Sequence, residues 1–136
     1  MKYLVDSNVL SEPTKPDPDQ AVVVWLRRNE RHVAVNPIVL GELEYGILLL
    51  PAGLKRRKLE KWFSDGLERV TILDFDAATA SAWARLLARL KRRGLAMPVR
   101  DSLIAATALA HDLIVATRNV ADFRHAGVRL ENPFEK

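Results

Sequence analysis

With 136 residues, 49% of them hydrophobic and 28% charged, the chain is long enough to bury a core as one domain, residues 1–136, and too apolar to be a disordered tail. It has no cysteine, which excludes disulfide scaffolds, cysteine-ligated zinc and thiol nucleophiles and leaves oxygen as the main donor for any metal. The formal net charge of +4 and pI near 9.7 suit a polyanionic partner, or simply solubility. Twelve of the 21 Lys and Arg fall within Leu54 to Arg69 and Arg85 to Arg100, the second without Asp or Glu, so two local basic surfaces are expected.

The first element is the apolar run Tyr3-Leu4-Val5, a short buried strand ending at Asp6. The early charge at Asp6 is too soon for a secretory signal. The longest apolar runs, Ala21 to Leu26 and Ile47 to Leu50, fall far short of the roughly 20 residues that span a bilayer. A cytoplasmic location with no membrane partner is therefore expected. Pro13 to Asp19, with three prolines, is a loop leading into a helix that carries Val22 to Leu26.

His32 to Val35 reads as a second buried strand, followed by Asn36 and Pro37 as N-cap and first residue of a helix reaching about Leu50. From Leu54 to Leu67 the residues Leu59, Trp62, Phe63 and Leu67 repeat at helical spacing, leaving Lys55, Arg56, Lys58 and Lys61 largely elsewhere. Val70 to Leu73 is a weaker, edge-type strand. Trp83, Leu86, Leu87 and Leu90 form one helical face, Arg85, Arg89, Arg92 and Arg93 a separate stripe, and Gly94 closes the helix. An alanine-rich helix runs from Ser102 to His111, with Asp101 at its start. It feeds the strand Leu113 to Ala116, and Val128 to Leu130 is a last edge strand. Strands alternating with helices indicate a parallel sheet covered on both faces.

That topology gathers acids at one edge. Asp6 leaves the carboxyl end of the first strand, where open parallel sheets bind ligands. Glu42, about a turn and a half into the helix after the second strand, reaches back to the same edge. Asp101 begins a helix that must run opposite to the strand it feeds, and Thr117, Asn119 and Asp122 follow that strand's carboxyl end. Two unit charges about 4 Å apart repel by around 4 kcal/mol at an effective dielectric near 20. Either some of these carboxylates hold protons at neutral pH, or a divalent cation sits among them. An all-oxygen site suits Mg²⁺ or Mn²⁺ better than zinc. Such an ion serves phosphodiester hydrolysis by lowering the pKa of water and neutralising the leaving oxygen, with the basic helices along the nucleic-acid backbone and Thr117 or Asn119 orienting water or phosphate.

Each residue also has a plainer role. Asp6 can cap a short helix at Ser7 to Leu10, Asp101 can cap its own helix, and Asn119 with Asp122 resembles an N-cap with an acid in the first turn. Glu42 shares a face with the apolar Ile38, Tyr45 and Leu49, where a salt bridge is the alternative. The basic stripes can be solvated faces, and His32, His111 and His125 show no ligand spacing.

Taken together, Val5-Asp6-Ser7-Asn8-Val9-Leu10-Ser11-Glu12, Gly41-Glu42-Leu43-Glu44-Tyr45-Gly46-Ile47, Asp101-Ser102-Leu103-Ile104-Ala105-Ala106-Thr107-Ala108 and Thr117-Arg118-Asn119-Val120-Ala121-Asp122-Phe123 resemble the PIN domain, and within it the VapC-type ribonuclease toxins, including their FitB-like branch. The ending Glu131-Asn132-Pro133-Phe134 resembles the family's close. Ser7 stands where the family often has Thr, and both carry a hydroxyl. The resemblance implies a three-layer α/β/α sandwich with a mostly parallel central sheet. It implies Asp6, Glu42 and Asp101 as metal-binding acids with Asp122 at a more variable fourth position, and RNA cleavage with Mg²⁺, or Mn²⁺ in its place. It further implies a homodimer and a VapB-like antitoxin whose tail occupies the toxin's groove, as a hetero-oligomer.

On this reading Asp6, Glu42, Asp101 and Asp122 are catalytic through the metal, Asn8, Thr117 and Asn119 are supporting polar groups, and Lys55, Arg56, Lys58, Arg85, Arg89 and Arg92 face RNA. Without metal, Asp6→Asn or Asp101→Asn is expected to raise thermal stability by relieving repulsion. A DNA nuclease using the same acids, and a catalytically silent nucleic-acid or protein-binding module, are the alternatives.

Overall fold

A computed structural model describes residues 1–134; Glu135 and Lys136, the end of the expected domain, lie outside the described residues. The strands are β1 (Tyr3–Val5), β2 (Val33–Val35), β3 (Thr71–Ile72), β4 (Ile114–Ala116) and β5 (Leu130–Glu131). They form one sheet in the order β3-β2-β1-β4-β5, with every neighbouring pair parallel. Helices α1 (Ser7–Leu10), α2 (Gln20–Arg28), α3 (Pro37–Leu48), α4 (Leu54–Arg69), α5 (Ala77–Arg92), α6 (Val99–His111) and α7 (Val120–Phe123) cover it.

β1 is central, and all three of its residues are buried because successive side chains enter different layers. Leu4 joins Leu86, Leu90, Ile104, Val115 and Phe123 on one side, whereas Tyr3 and Val5 join Val9 and Val22 on the other. This is the three-layer arrangement that the alternating pattern implies. Ala105, Ala106 and Ala108 are buried, so small side chains let α6 lie close against its neighbours. Among the described residues no helix is long and apolar enough to cross a membrane.

Besides one-residue trims that leave β3 at Thr71–Ile72 and β4 at Ile114–Ala116, four local expectations shift. His32 closes a 3₁₀ turn at Glu30–His32, so β2 begins one residue later. The last strand is Leu130–Glu131 rather than Val128 to Leu130, because Val128 packs against the core from the preceding loop. Helix α6 begins at Val99 rather than at Asp101. The Pro98 carbonyl already accepts from the Ser102 N–H at 2.9 Å, which puts Asp101 inside the first turn and not at the cap.

The fourth concerns α3. Asn36 caps it as expected, its Oδ1 accepting from the Val39 N–H at 3.0 Å. The core face, however, is Val39 and Ile47, whereas Tyr45 and Leu49, expected beside Glu42 on an apolar inner face, are 65% and 67% exposed. An almost uniformly apolar helix has no periodicity to say which stripe turns inward.

Candidate metal centre

The candidate site lies where the strand order departs from β1 in two directions, β2 to one side and β4 to the other, the crevice at which open α/β sheets bind ligands. Asp6 is pinned there by its backbone, whose N–H donates to the Ala116 carbonyl at 2.9 Å. Its side chain is fully buried. Oδ1 accepts from the Ser7 backbone N–H at 2.7 Å, and Oδ2 accepts from the Thr117 hydroxyl at 2.7 Å. Capping α1 and joining the cluster are therefore done by the same carboxylate.

Arg100 occupies the middle of the cluster. Its guanidinium donates to Asp6 Oδ1, to Glu42 Oε1 at 2.6 Å and Oε2 at 2.7 Å, and to Asp101 Oδ1 at 2.8 Å. Asp6 comes from the end of β1, Glu42 from α3 and Asp101 from α6, so three separate segments meet on one cation. Side chains brace the first turn of α6 in this position, where Ser102 Oγ donates to the Val99 carbonyl at 2.6 Å and accepts from the Trp83 indole N–H at 2.9 Å.

This arrangement changes the expected electrostatics. Repulsion among the acids is offset by the protein's own guanidinium, which reverses the sign expected for Asp6→Asn without metal. In the sequence Arg100 reads only as the end of a basic stretch. One signal points to it: it is the sole Lys or Arg directly adjacent in sequence to any of the four acids. Burial works against the Arg100 charge, but Glu42, Asp6 and Asp101 outweigh it and hold the guanidinium firmly protonated.

Asp101 is less comfortable. Burial pushes its carboxyl above the ordinary 3.8; Arg100 opposes the rise, and Asp122 and Asp6 add to it. A carboxyl with a raised folded-state pKa contributes stability that is present below its unfolded value and lost as pH rises through the folded one. The ionised Asp101 thus costs stability at neutral pH. We expect carbon-13 NMR to show the Asp101 carboxyl titrating above 3.8, and higher again in Arg100→Met, where the opposing cation is gone; an Asp101 midpoint below 3.8 would contradict this placement.

Asp122 is exposed in the first turn of α7 and acts on Asp101 through its charge. Of the supporting polar groups, Thr117 is in place, donating to Asp6 and accepting from the Asn119 N–H at 3.0 Å. Asn8 accepts from the Arg118 N–H at 3.1 Å and brings its amide within 3.5 Å of Asp6 Oδ2. The Asn119 residue precedes α7 without a side-chain capping bond.

The basic residues divide. Lys55 lines a groove of about 490 Å³ together with Ser7, Asn8, Glu42, Ile47 and Trp62, beside the acids. Lys58 lines a second hollow of about 430 Å³ with Thr14, Pro16 and Lys55. Arg56 is engaged by Glu60 and the Leu50 carbonyl. Arg89 donates to the Ala126 carbonyl at 3.0 Å, a tie within the fold, while Arg85 and Arg92 are exposed.

The donor set fits a hard divalent cation, since Asp6, Glu42, Asp101 and the Thr117 hydroxyl are all oxygen ligands. Among the described residues no three acids are already spaced around a single ion; they are spaced around the guanidinium instead.

The PIN domain matches residues 3–128. The chain belongs to the PIN domain family. Within it, the chain is 36% identical to the toxin FitB of Neisseria gonorrhoeae over 135 residues, covering 96% of this chain and 97% of that protein. It is also 36% identical to the VapC ribonuclease Y4jK of Sinorhizobium fredii, covering 97% of each. The crystal structure of FitAcB from Neisseria gonorrhoeae superposes with a TM-score of 0.88 at 34% identity, covering 98% of this chain and 99% of that one. VapBC2 from Rickettsia felis, bound to a promoter DNA fragment, superposes with a TM-score of 0.81 at 27% identity, covering 97% and 98%. This PIN domain thus keeps its relatives' length and fold.

Proposed function

We propose that this PIN domain is a Mg²⁺-dependent endoribonuclease, for which Mn²⁺ can substitute, acting as the toxin of a toxin–antitoxin pair. The observation that carries the reading is the convergence of Asp6, Glu42 and Asp101 from three elements onto one cation at the carboxyl end of the sheet. Relatives that span nearly the whole chain carry the names ribonuclease and toxin. Asp6 and Asp101 would hold the ion, Glu42 would complete the site, and Asp122 would act from its edge. A bound ion would lower the pKa of water and neutralise charge on the leaving oxygen.

The remaining work falls to the chain's own groups. The Thr117 hydroxyl proton is committed to Asp6, which fixes that carboxylate's orientation. Asn8 links α1 to the loop before α7, keeping both sides of the crevice in register. Lys55, at the wall of the groove, supplies counter-charge to an RNA backbone. The same groove would take the tail of a VapB-like antitoxin, and the exposed Tyr45 and Leu48 of α3, with Leu49 at its C-cap, would give an apolar surface for a homodimer.

The test is cleavage of labelled RNA and DNA in competition, with Mg²⁺, with Mn²⁺ and with chelator. RNA cleavage that requires the ion is expected. Preferential cutting of DNA would make the chain a DNA nuclease, and absence of both cleavage and Mn²⁺ binding would leave a binding module.

A further inference from the structure

Asp6 has no capacity to spare. A carboxylate offers about four lone-pair sites on its two oxygens. Here Oδ1 serves the Ser7 N–H and the Arg100 guanidinium, while Oδ2 serves the Thr117 hydroxyl and lies within reach of Asn8 and of a second Arg100 nitrogen at 3.4 Å. Any ion that binds Asp6 must replace one of these donors. The Ser7 N–H belongs to the backbone of α1, and Thr117 follows β4 with its own N–H donating to the Glu131 carbonyl at 3.0 Å. Asn8 is tied through its amide oxygen to the Arg118 N–H, whereas Arg100 holds its donors at the end of a long flexible stem, 29% exposed.

The same guanidinium also covers the facing oxygens of Glu42 and Asp101. Ion and guanidinium therefore compete for one set of oxygens. We propose that Arg100 is a tethered stand-in for the metal, seated among Asp6, Glu42 and Asp101 until a divalent cation displaces it, so that this side chain sets the affinity of the site. The inference rests on the metal site of the proposed nuclease. It gives Arg100 a place that neither an RNA-facing basic stripe nor a solvated helix end provides.

The energetics favour such an exchange. A doubly charged ion gains about twice the attraction of a single charge to each carboxylate at equal distance. Arg100 offsets this with multiple directed bonds that cost no immobilisation of a free ligand. If the guanidinium occupies the acids about nine-tenths of the time, apparent metal affinity falls roughly tenfold, because only the vacated fraction can bind.

Mn²⁺ titration by calorimetry tests this without reference to cleavage. Arg100→Met removes the competing charge and keeps an unbranched stem, and should bind Mn²⁺ about tenfold or more tightly than the parent. Its metal-free melting temperature should fall, since the acids lose their counter-ion, and Mn²⁺ should raise it by more than it raises the parent's. Arg100→Lys, whose single ammonium cannot fork across three carboxylates, should bind with intermediate affinity and carries the test if Arg100→Met does not fold. Equal or weaker Mn²⁺ affinity in these variants overturns the role of Arg100 while leaving the metal site standing. Failure of the parent and both variants to bind Mn²⁺ overturns the metal site itself, and this inference with it.

Discussion

Asp6→Asn is expected to cut ion-dependent RNA cleavage by at least about 10²-fold, the size of loss found when one group that stabilises transition-state charge is removed. The substitution removes the negative charge of the one acid among the described residues with no exposure to solvent. It also replaces one carboxylate oxygen with an amide NH₂, which donates and cannot accept. Asp6 faces donors on both oxygens, the Ser7 N–H and Arg100 on one and the Thr117 hydroxyl on the other, so an Asn amide nitrogen turned toward Ser7 meets two donors, and turned toward Thr117 it leaves that hydroxyl proton without its acceptor. Leaving a buried donor unpaired costs about 1–3 kcal/mol. Metal-free Asp6→Asn should therefore melt below the parent, opposite to what repulsion among unpaired acids would give. Initial rates on a fluorogenic RNA, beside circular-dichroism melts with and without Mg²⁺, separate the two effects. Asp101→Asn should lose cleavage likewise. Parent-like cleavage in both variants would end the nuclease reading.

The second large effect belongs to Phe123. It is the only buried residue of the four-residue helix α7, it has no exposed surface, and it packs in the cluster with Leu4, Ile104 and Val115. A helix this short is not stable on its own; its position depends on that one ring. Phe123→Ala should cost about 3–5 kcal/mol from lost burial and the cavity left behind. Against a total stability of about 5–15 kcal/mol, that is enough to leave the domain barely folded. Urea unfolding should show a lower midpoint at unchanged slope, and Phe123→Leu should recover most of the loss. A midpoint within experimental error of the parent's would show that α7 is not anchored through this side chain.

Much of the frame is legible in short windows. Tyr3 to Val5 is apolar throughout because both faces of a central parallel strand are covered. Asn36 before Pro37 marks the start of α3 through a bond spanning three residues, Asn36 Oδ1 to the Val39 N–H. Asp19 and Asp76 cap α2 and α5 in the same local way. Strand order follows once these elements alternate, and with it the placement of Asp6, Glu42 and Asp101 at one end of the sheet. Expectation and structure part where a local cue is missing or ambiguous. Apart from Glu42 and Glu44, α3 carries no charge to mark which face is inward, and the start of α6 at Val99 lies outside the strongest alanine-rich pattern.

The chain's covalent order by itself determined the parallel α/β frame and the end of it at which the acids gather, because caps, turn residues and apolar runs act over a few residues. Only the tertiary structure decided what those acids hold. Arg100 reaches Glu42 across 58 residues and Asp6 across 94, and a pairing at that separation exists only after the sheet has brought β1, α3 and α6 together. Its strength depends on burial that no short window of sequence records.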